Sequence, residues 1–129
     1  MLKAALFLIL AAVKPSANET EAIARFESAY QAASASITKC TPVQERIIST
    51  LTRTPGDLNK LDFEWAQRKN FCVKSMAQAQ KVVDFAKVDI QFMHRKQLSE
   101  IGDLTGRLKE TKKNEDRINT ILDRLNAQF

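Results

Sequence analysis

Cys40 and Cys72 are the residues of this sequence with the clearest chemical potential. Their spacing lacks the two-residue gap of a redox-active pair. Two thiols are also too few for a zinc site unless His94 and a carboxylate join them, and no ligand spacing supports that arrangement. Two cysteines in an exported chain form a disulfide more often than they stay free. The sequence therefore predicts a structural Cys40–Cys72 bridge.

No other set of residues points to catalysis. His94 is the sole histidine, and the carboxylates are spread along helical segments with basic neighbours. The sequence has no Gly-rich phosphate loop, nucleophile elbow or metal-binding helix motif. We therefore expect a protein that is not an enzyme and that holds no metal or cofactor.

Hydrophobic residues in two places could instead serve recognition. Phe63 and Trp65 are two residues apart on a predicted helix, so they cannot both face the same neighbour, and we expect Phe63 to be exposed. A coiled-coil-like seam near the C-terminus is long enough to be shared between subunits. The candidate interaction surface is Phe63, Trp65, Ile118, Leu122, Leu125 and Phe129.

The triplet Asn18-Glu19-Thr20 matches the acceptor pattern for N-glycosylation, which makes Asn18 a possible glycosylation site in a eukaryotic secretory pathway. The alternative is that Asn18 or Thr20 simply caps the first helix.

The first 17 residues have the pattern of a secretory signal peptide. Lys3 supplies positive charge, residues 4–13 form an apolar run too short to span a bilayer, and no acidic residue precedes Glu19. Removing residues 1–17 lowers the net charge from +5 to +3. We therefore expect a secreted or periplasmic protein with one domain at residues 18–129 and no stable membrane span after signal removal.

The remaining chain is typical of an all-α protein, with 3 Gly, 3 Pro and long runs of helix-forming residues. One long helix, at about residues 57–98, carries apolar side chains at alternating spacings of three and four. These residues are Cys72, Met76, Ala79, Val83, Ala86, Ile90 and Met93, flanked by Phe71, Val82, Phe85, Val88 and Phe92. We predict an antiparallel bundle of three to four helices built on this helix.

Residues 23–40 precede the long helix with the same seam spacing. Thr41-Pro42 either starts a second short helix or lies within the first, and residues 54–57 form a turn. If the chain reverses at that turn, Cys40 and Cys72 lie at equal height.

The C-terminal segment allows two interpretations. Gly102 and Gly106 favour a helix stop and turn, after which the chain folds back. The alternative is one unbroken helix with heptad spacing from Ile101 to Phe129. Thr111 and Glu115 would then occupy seam positions, which favours the fold-back.

Function is less determined than fold. The basic residues are interspersed with acids rather than concentrated on one face, so we expect no nucleic-acid partner. The favoured function is an exported helical protein that binds another protein, with a possible homo-oligomer or structural role. The alternative is a carrier that holds a lipid or other small apolar ligand between its helices.

Overall fold

The computed structural model describes residues 15–53 and 58–128, and the side chains of residues 15–53 and 63–127. Helix α1 spans Glu19–Arg53, α2 spans Leu58–Val88 and α3 spans Arg95–Gln128. A short 3-10 helix, Ile90–Phe92, lies between α2 and α3. No strand occurs in the two described stretches, so the predicted all-α bundle is confirmed, and it has three helices.

Helix α1 is one continuous helix that contains Pro42. Its N-terminus is capped by Asn18, whose Oδ1 accepts a hydrogen bond of 2.9 Å from the backbone N–H of Glu21. Pro42 has no N–H to donate to the carbonyl of Thr38, yet the helix continues for more than two turns beyond it. Buried residues on both sides of the proline hold α1 in the bundle, Ile37 in one apolar cluster and Ile47 in another.

Helices α1 and α2 are antiparallel. Cys40 is bonded to Cys72, and Arg46 pairs with Glu64 nearer the turn. The residue numbers of each pair have nearly the same sum, which is the register expected for a reversal between the two helices.

Helix α3 runs parallel to α1 and covers the groove between α1 and α2. The Tyr30 hydroxyl donates to Asp103 over 3.1 Å, and Gln44 Nε2 donates to the Thr111 carbonyl over 2.9 Å. From the first contact to the second, the residue numbers increase along both α1 and α3, so the two helices run in the same direction. The three helices therefore form an up-down-up bundle.

The predicted long helix at about residues 57–98 is wrong at its C-terminal end, because α2 stops at Val88. Asp89 turns its carboxylate towards Ser16, and the next hydrogen bonds are of the 3-10 type, Phe92 N–H to Asp89 O and Met93 N–H to Ile90 O. No Gly or Pro marks this break in the sequence. The helical bonding pattern thus ends at Asp89, whose N–H still donates to Phe85 O while its carbonyl accepts the first 3-10 bond.

The next helix begins with a side-chain cap that the sequence analysis did not identify. Gln97 Oε1 accepts a hydrogen bond of 3.0 Å from the backbone N–H of His94, and the His94 carbonyl accepts from Leu98 N–H. This is the half of a capping box in which the third helical residue satisfies the cap residue. Because the chain reverses here, Ile90 is half exposed and does not continue the predicted stripe.

The predicted helix stop at Gly102 and Gly106 is also wrong, because both glycines lie inside α3. The heptad alternative is the one observed, with Leu104, Thr111, Ile118 and Leu122 buried. Thr111 is tolerated on the seam because its hydroxyl donates to the carbonyl of Arg107. Glycine in a helix costs only about 1 kcal/mol relative to alanine, which the packing of a 34-residue helix can offset.

The core consists of two apolar clusters at opposite ends of the bundle. The cluster near the Asp89 turn contains Ala22, Phe26, Ala33, Ile37, Ala79, Val82, Val83, Ala86, Met93 and Leu104. The cluster towards the C-terminal end of α1 contains Cys40, Ile47, Leu51, Trp65, Cys72, Ile118 and Leu122. Phe26 and Tyr30 pack against the alanines and valines of α2, so large and small side chains interdigitate as expected.

Candidate functional site

The two cysteines are brought together as predicted. Cys40 and Cys72 are buried and form a disulfide, with their Cα atoms 5.4 Å apart. The bridge joins α1 to α2 inside the core and leaves no exposed thiol in the described chain. It therefore stabilises the bundle and offers no reactive group.

Three residues of the candidate interaction surface lie in the core instead. Trp65 is 2% exposed and donates its Nε1–H to Asn119 Oδ1 over 3.3 Å. Ile118 and Leu122 are buried beside it, because α3 packs against its own bundle rather than against another subunit. These three candidates are therefore not accessible in the bundle, whereas Leu125 is half-buried and Phe129 lies outside the described residues.

Phe63 is 66% exposed, as expected from its spacing relative to Trp65. It begins a row of exposed residues on α2 with the spacings three, four, three, four and three, which place them on one side of a helix. We call this row the outer stripe; it consists of Phe63, Ala66, Asn70, Val73, Ala77 and Gln80. Val73 is 42% exposed near its middle. The outer stripe repeats the spacing of a coiled-coil seam on the side of α2 that faces away from the core.

The second half of the outer stripe opens into a groove between α2 and α3. The groove has a volume of about 360 Å³. Its lining residues are Val73, Met76, Ala77, Gln80, Leu108, Lys112, Glu115, Asp116 and Asn119. The lining combines apolar side chains with polar and charged ones, a composition found at surfaces that receive a partner helix.

Positive charge flanks the outer stripe. Lys69, Lys74 and Lys81 occupy positions adjacent to the stripe on α2, and Lys112 lies across the groove on α3. Burial raises the pKa of Glu115 at the groove floor, and the charge of Lys69 opposes that rise. Lys69 and Lys112 both offset the charge of Glu115. Lys74 and Lys81 are the lysines beside the stripe that can attract negative charge from a partner.

A separate apolar cavity lies near the opposite end of the bundle, between α1 and α2. It has a volume of about 140 Å³ and lies beside the stacked pair of Arg25 over the Phe85 ring, 4.7 Å from guanidinium carbon to ring centroid. Its lining is almost entirely apolar and consists of Arg25, Phe26, Ala29, Val82, Phe85, Ala86, Asp89 and Met93. An apolar space of this size can hold a molecule about as large as benzene.

The chain that precedes α1 is fixed beside this cavity. Both the N–H and the Oγ–H of Ser16 donate to the two carboxylate oxygens of Asp89, each over 2.7 Å. Asp89 is only 3% exposed, so these two hydrogen bonds replace much of the water that its carboxylate loses. The contact joins residues that are 73 positions apart.

Two carboxylates face each other between α1 and α3. Burial and the neighbouring Glu27 raise the pKa of Glu100 to about 7. The hydrogen bond with Glu100 lowers the pKa of Glu27, which also accepts from Gln97 Nε2 over 3.1 Å and lies 3.7 Å from Lys96 Nζ. The pair can share one proton, because a protonated Glu100 carboxyl can donate a hydrogen bond to the Glu27 carboxylate, whereas two carboxylates would only repel.

His94 does not join these carboxylates and pairs with Glu19 at the exposed start of α1. Among the described residues, no group of three or more His, Cys, Asp and Glu side chains is arranged to hold a metal ion. No helix in the described part of the chain is both long and apolar enough to cross a bilayer.

The outer stripe, the cavity and the Ser16–Asp89 contact were not identified from the sequence. The outer stripe was detectable from the sequence. Its spacing is visible once the apolar row that begins at Cys72, which we call the inner stripe of α2, is set aside. The other two features depend on residues brought together from different helices, and no local pattern encodes such a contact.

Comparison with known proteins identifies no relative: neither a protein-family model, nor a curated protein, nor a solved structure matches this chain.

Proposed function

We propose that this is an exported, non-enzymatic protein that binds another protein through the outer stripe and the adjoining groove. The observation that carries the proposal is the exposure of a seam-spaced row of side chains on α2, with Phe63 at 66% and Val73 at 42%. Single exposed apolar residues are common, but a row with coiled-coil spacing beside a groove indicates an interaction site.

Two further observations support the proposal. The disulfide is compatible with an oxidising compartment such as the secretory pathway or the periplasm. The apolar residues of the core are already covered by the three helices, whereas the outer stripe is exposed. A partner can therefore bind the outer stripe without the helices separating.

The test compares Val73→Glu with Ala35→Glu, which changes an exposed alanine on α1. Each variant and the unaltered protein would be immobilised and exposed to the medium or periplasm in which the protein occurs. We expect the unaltered protein and Ala35→Glu to retain the same partner, and Val73→Glu to lose it. Equal retention by Val73→Glu would exclude the outer stripe as the binding site.

The cavity between α1 and α2 favours a second candidate function, that of a carrier for a small apolar ligand. At about 140 Å³ the space suits a single ring and is too small for a lipid chain. Benzene at ten times its dissociation constant should stabilise the protein by about 1.4 kcal/mol. Ala29→Leu, which would fill the cavity, should abolish that stabilisation, whereas Ala35→Leu should leave it unchanged. No stabilisation of the unaltered protein would exclude the carrier.

A further inference from the structure

We infer that the partner of the outer stripe is an amphipathic helix of a different protein, with acidic residues on both sides of its apolar row. This inference rests on the proposed function and specifies the chemistry of the binding partner. It is derived from the spacing, the size and the charge of the residues on and beside the stripe.

The spacing indicates that the occupant is helical. The outer stripe extends from Phe63 to Gln80, which corresponds to nearly five turns and about 26 Å of helix. Inside the bundle, the rows of residues with the same spacing are covered by neighbouring helices. A row spaced at three and four residues gives a helix continuous contact along its length, whereas an extended peptide has a period of two.

The sizes of the side chains indicate a close approach in one register. Ala66 and Ala77 present little bulk, Phe63 projects at one end, and Val73 borders the groove. Asn70 lies between them at a seam position, where a polar side chain selects the register of the incoming helix. Large side chains of the partner therefore fit opposite the two alanines.

The charges indicate an acidic partner. By sequence register, the flanking positions of α2 are Asp62, Gln67, Lys69, Lys74, Met76 and Lys81, with three cations and one acid. On the α3 side of the groove, Lys112 is accompanied by Glu115 and Asp116, so the excess of positive charge comes from α2. Residues that flank a seam select partners by opposite charge, so glutamates on the partner would pair with these lysines.

The same charges disfavour a second copy of this chain. Parallel pairing of two outer stripes would place Lys69 of one copy near Lys74 of the other. Antiparallel pairing avoids that clash but still brings six lysines to one interface, against only two acids, Asp62 of each copy. Like charges along an interface suppress self-association, so the pattern favours a hetero-complex.

The test uses two synthetic helical peptides of about 25 residues with identical Leu and Ala seams, one flanked by Glu and the other by Lys. Binding to the full-length protein would be measured by fluorescence anisotropy at low and high salt. We expect the Glu peptide to bind at least about tenfold more tightly at low salt and to lose most of that advantage at 1 M salt, where charges are screened within about 3 Å.

Three variants make the test specific. Ala77→Glu should abolish binding of the Glu peptide, whereas Ala35→Glu, at an exposed alanine on α1, should leave it unchanged. Lys74→Glu with Lys81→Glu should reverse the preference, so that the Lys peptide binds more tightly. Circular dichroism would confirm that each variant remains helical.

Several outcomes would overturn the inference. Equal affinity for both peptides, no binding of either, or an unchanged preference in the Lys74→Glu, Lys81→Glu variant would exclude an acidic helix as the partner. A dimer that Val73→Glu disrupts, with no peptide binding, would identify a second copy as the occupant. If a native partner is lost with Val73→Glu although neither peptide binds, the proposed function stands and only this inference fails.

Discussion

Some ionisable side chains in this bundle are partly buried, and their effect on the free energy of unfolding can be measured. Glu100 is the clearest case, since its pKa is raised to about 7 while the carboxyl of an unfolded chain titrates near 4.5. The folded state therefore holds a proton that the unfolded state releases between these two pH values. Stability from this proton is fully present below pH 4.5 and is lost as the pH rises through about 7.

We expect the free energy of unfolding to fall between about pH 5 and pH 8, with Glu100 as the main source. Solvent screening at this partly exposed site limits the effect to about 1 kcal/mol. Glu100→Gln should remove most of this pH dependence, and Glu110→Gln, at an exposed site on α3, should retain it. Urea titrations at several pH values would measure the difference. A rise in stability over this pH range would contradict the proton-sharing pair.

Ser16 gives a second prediction about a single residue, because it is the hydrogen-bond donor to the buried carboxylate of Asp89. Ser16→Ala keeps the backbone N–H contact but removes the hydroxyl donor to Asp89. We expect a loss of about 1–3 kcal/mol in unfolding free energy, the usual cost of leaving a buried charged group short of a partner. Ser28→Ala, on the exposed side of α1, should change stability by less than about 0.5 kcal/mol.

Among the helices, α3 depends least on local sequence preference. Gly102 and Gly106 lie within it, and a Cβ atom added at either position would meet no atom within 4 Å. Neither glycine adopts a positive φ angle. Gly102→Ala and Gly106→Ala should therefore each stabilise the protein by about 0.5–1 kcal/mol, through a smaller entropy loss on folding.

Thermal unfolding of the single and double variants would measure this effect. The two gains should add approximately, because each methyl group projects into solvent. Destabilisation by either alanine would show that the glycines meet a requirement of the fold that the bundle does not explain.

Helix periodicity predicted the parts of the fold that depend on local sequence, meaning the spacing of apolar residues within one helix. The seam of α1, the inner stripe of α2 up to Ala86 and the pairing of Cys40 with Cys72 follow from spacing and register alone. The end of α2 could not be predicted in this way, because no Gly or Pro marks it and the Asp89 carboxylate is bound by Ser16 from 73 positions away. The continuity of α3 through two glycines was missed because tertiary packing outweighs a helix propensity of about 1 kcal/mol per residue.

The candidate site likewise has residues whose exposure could be predicted from the sequence and others whose exposure could not. Phe63 was expected to be exposed, and it is, because two residues two positions apart on a helix face different directions. The burial of Trp65, Ile118 and Leu122 could not be predicted, because their accessibility depends on which helix packs against α3. The cavity could not be predicted, since its walls come from two helices and its edge from the turn that follows α2.

At the scale of the whole molecule, one covalent bond joins the first two helices. The disulfide closes a loop with a sequence separation of 32 residues. The loop-entropy model gives about 3–4 kcal/mol for a loop of this length. We expect the Cys40→Ala, Cys72→Ala variant to lose about this much unfolding free energy while remaining helical. Thiol titration of the unfolded, unreduced protein should detect no free thiol, and two free thiols would contradict the bridge.

If the predicted signal peptide is removed from an exported chain, the contact between Ser16 and Asp89 bears on where the cut falls. A signal peptidase that cut after residue 17 would discard Ser16 and leave the Asp89 carboxylate buried without its two donors. A cut before Ser16 would preserve the hydroxyl donor, and a cut directly before it would place a new α-ammonium group against the carboxylate. Stability thus favours a mature chain that begins at or upstream of Ser16. Edman sequencing of the exported protein would locate this first residue, and a terminus at Asn18 would show that the folded bundle tolerates the loss.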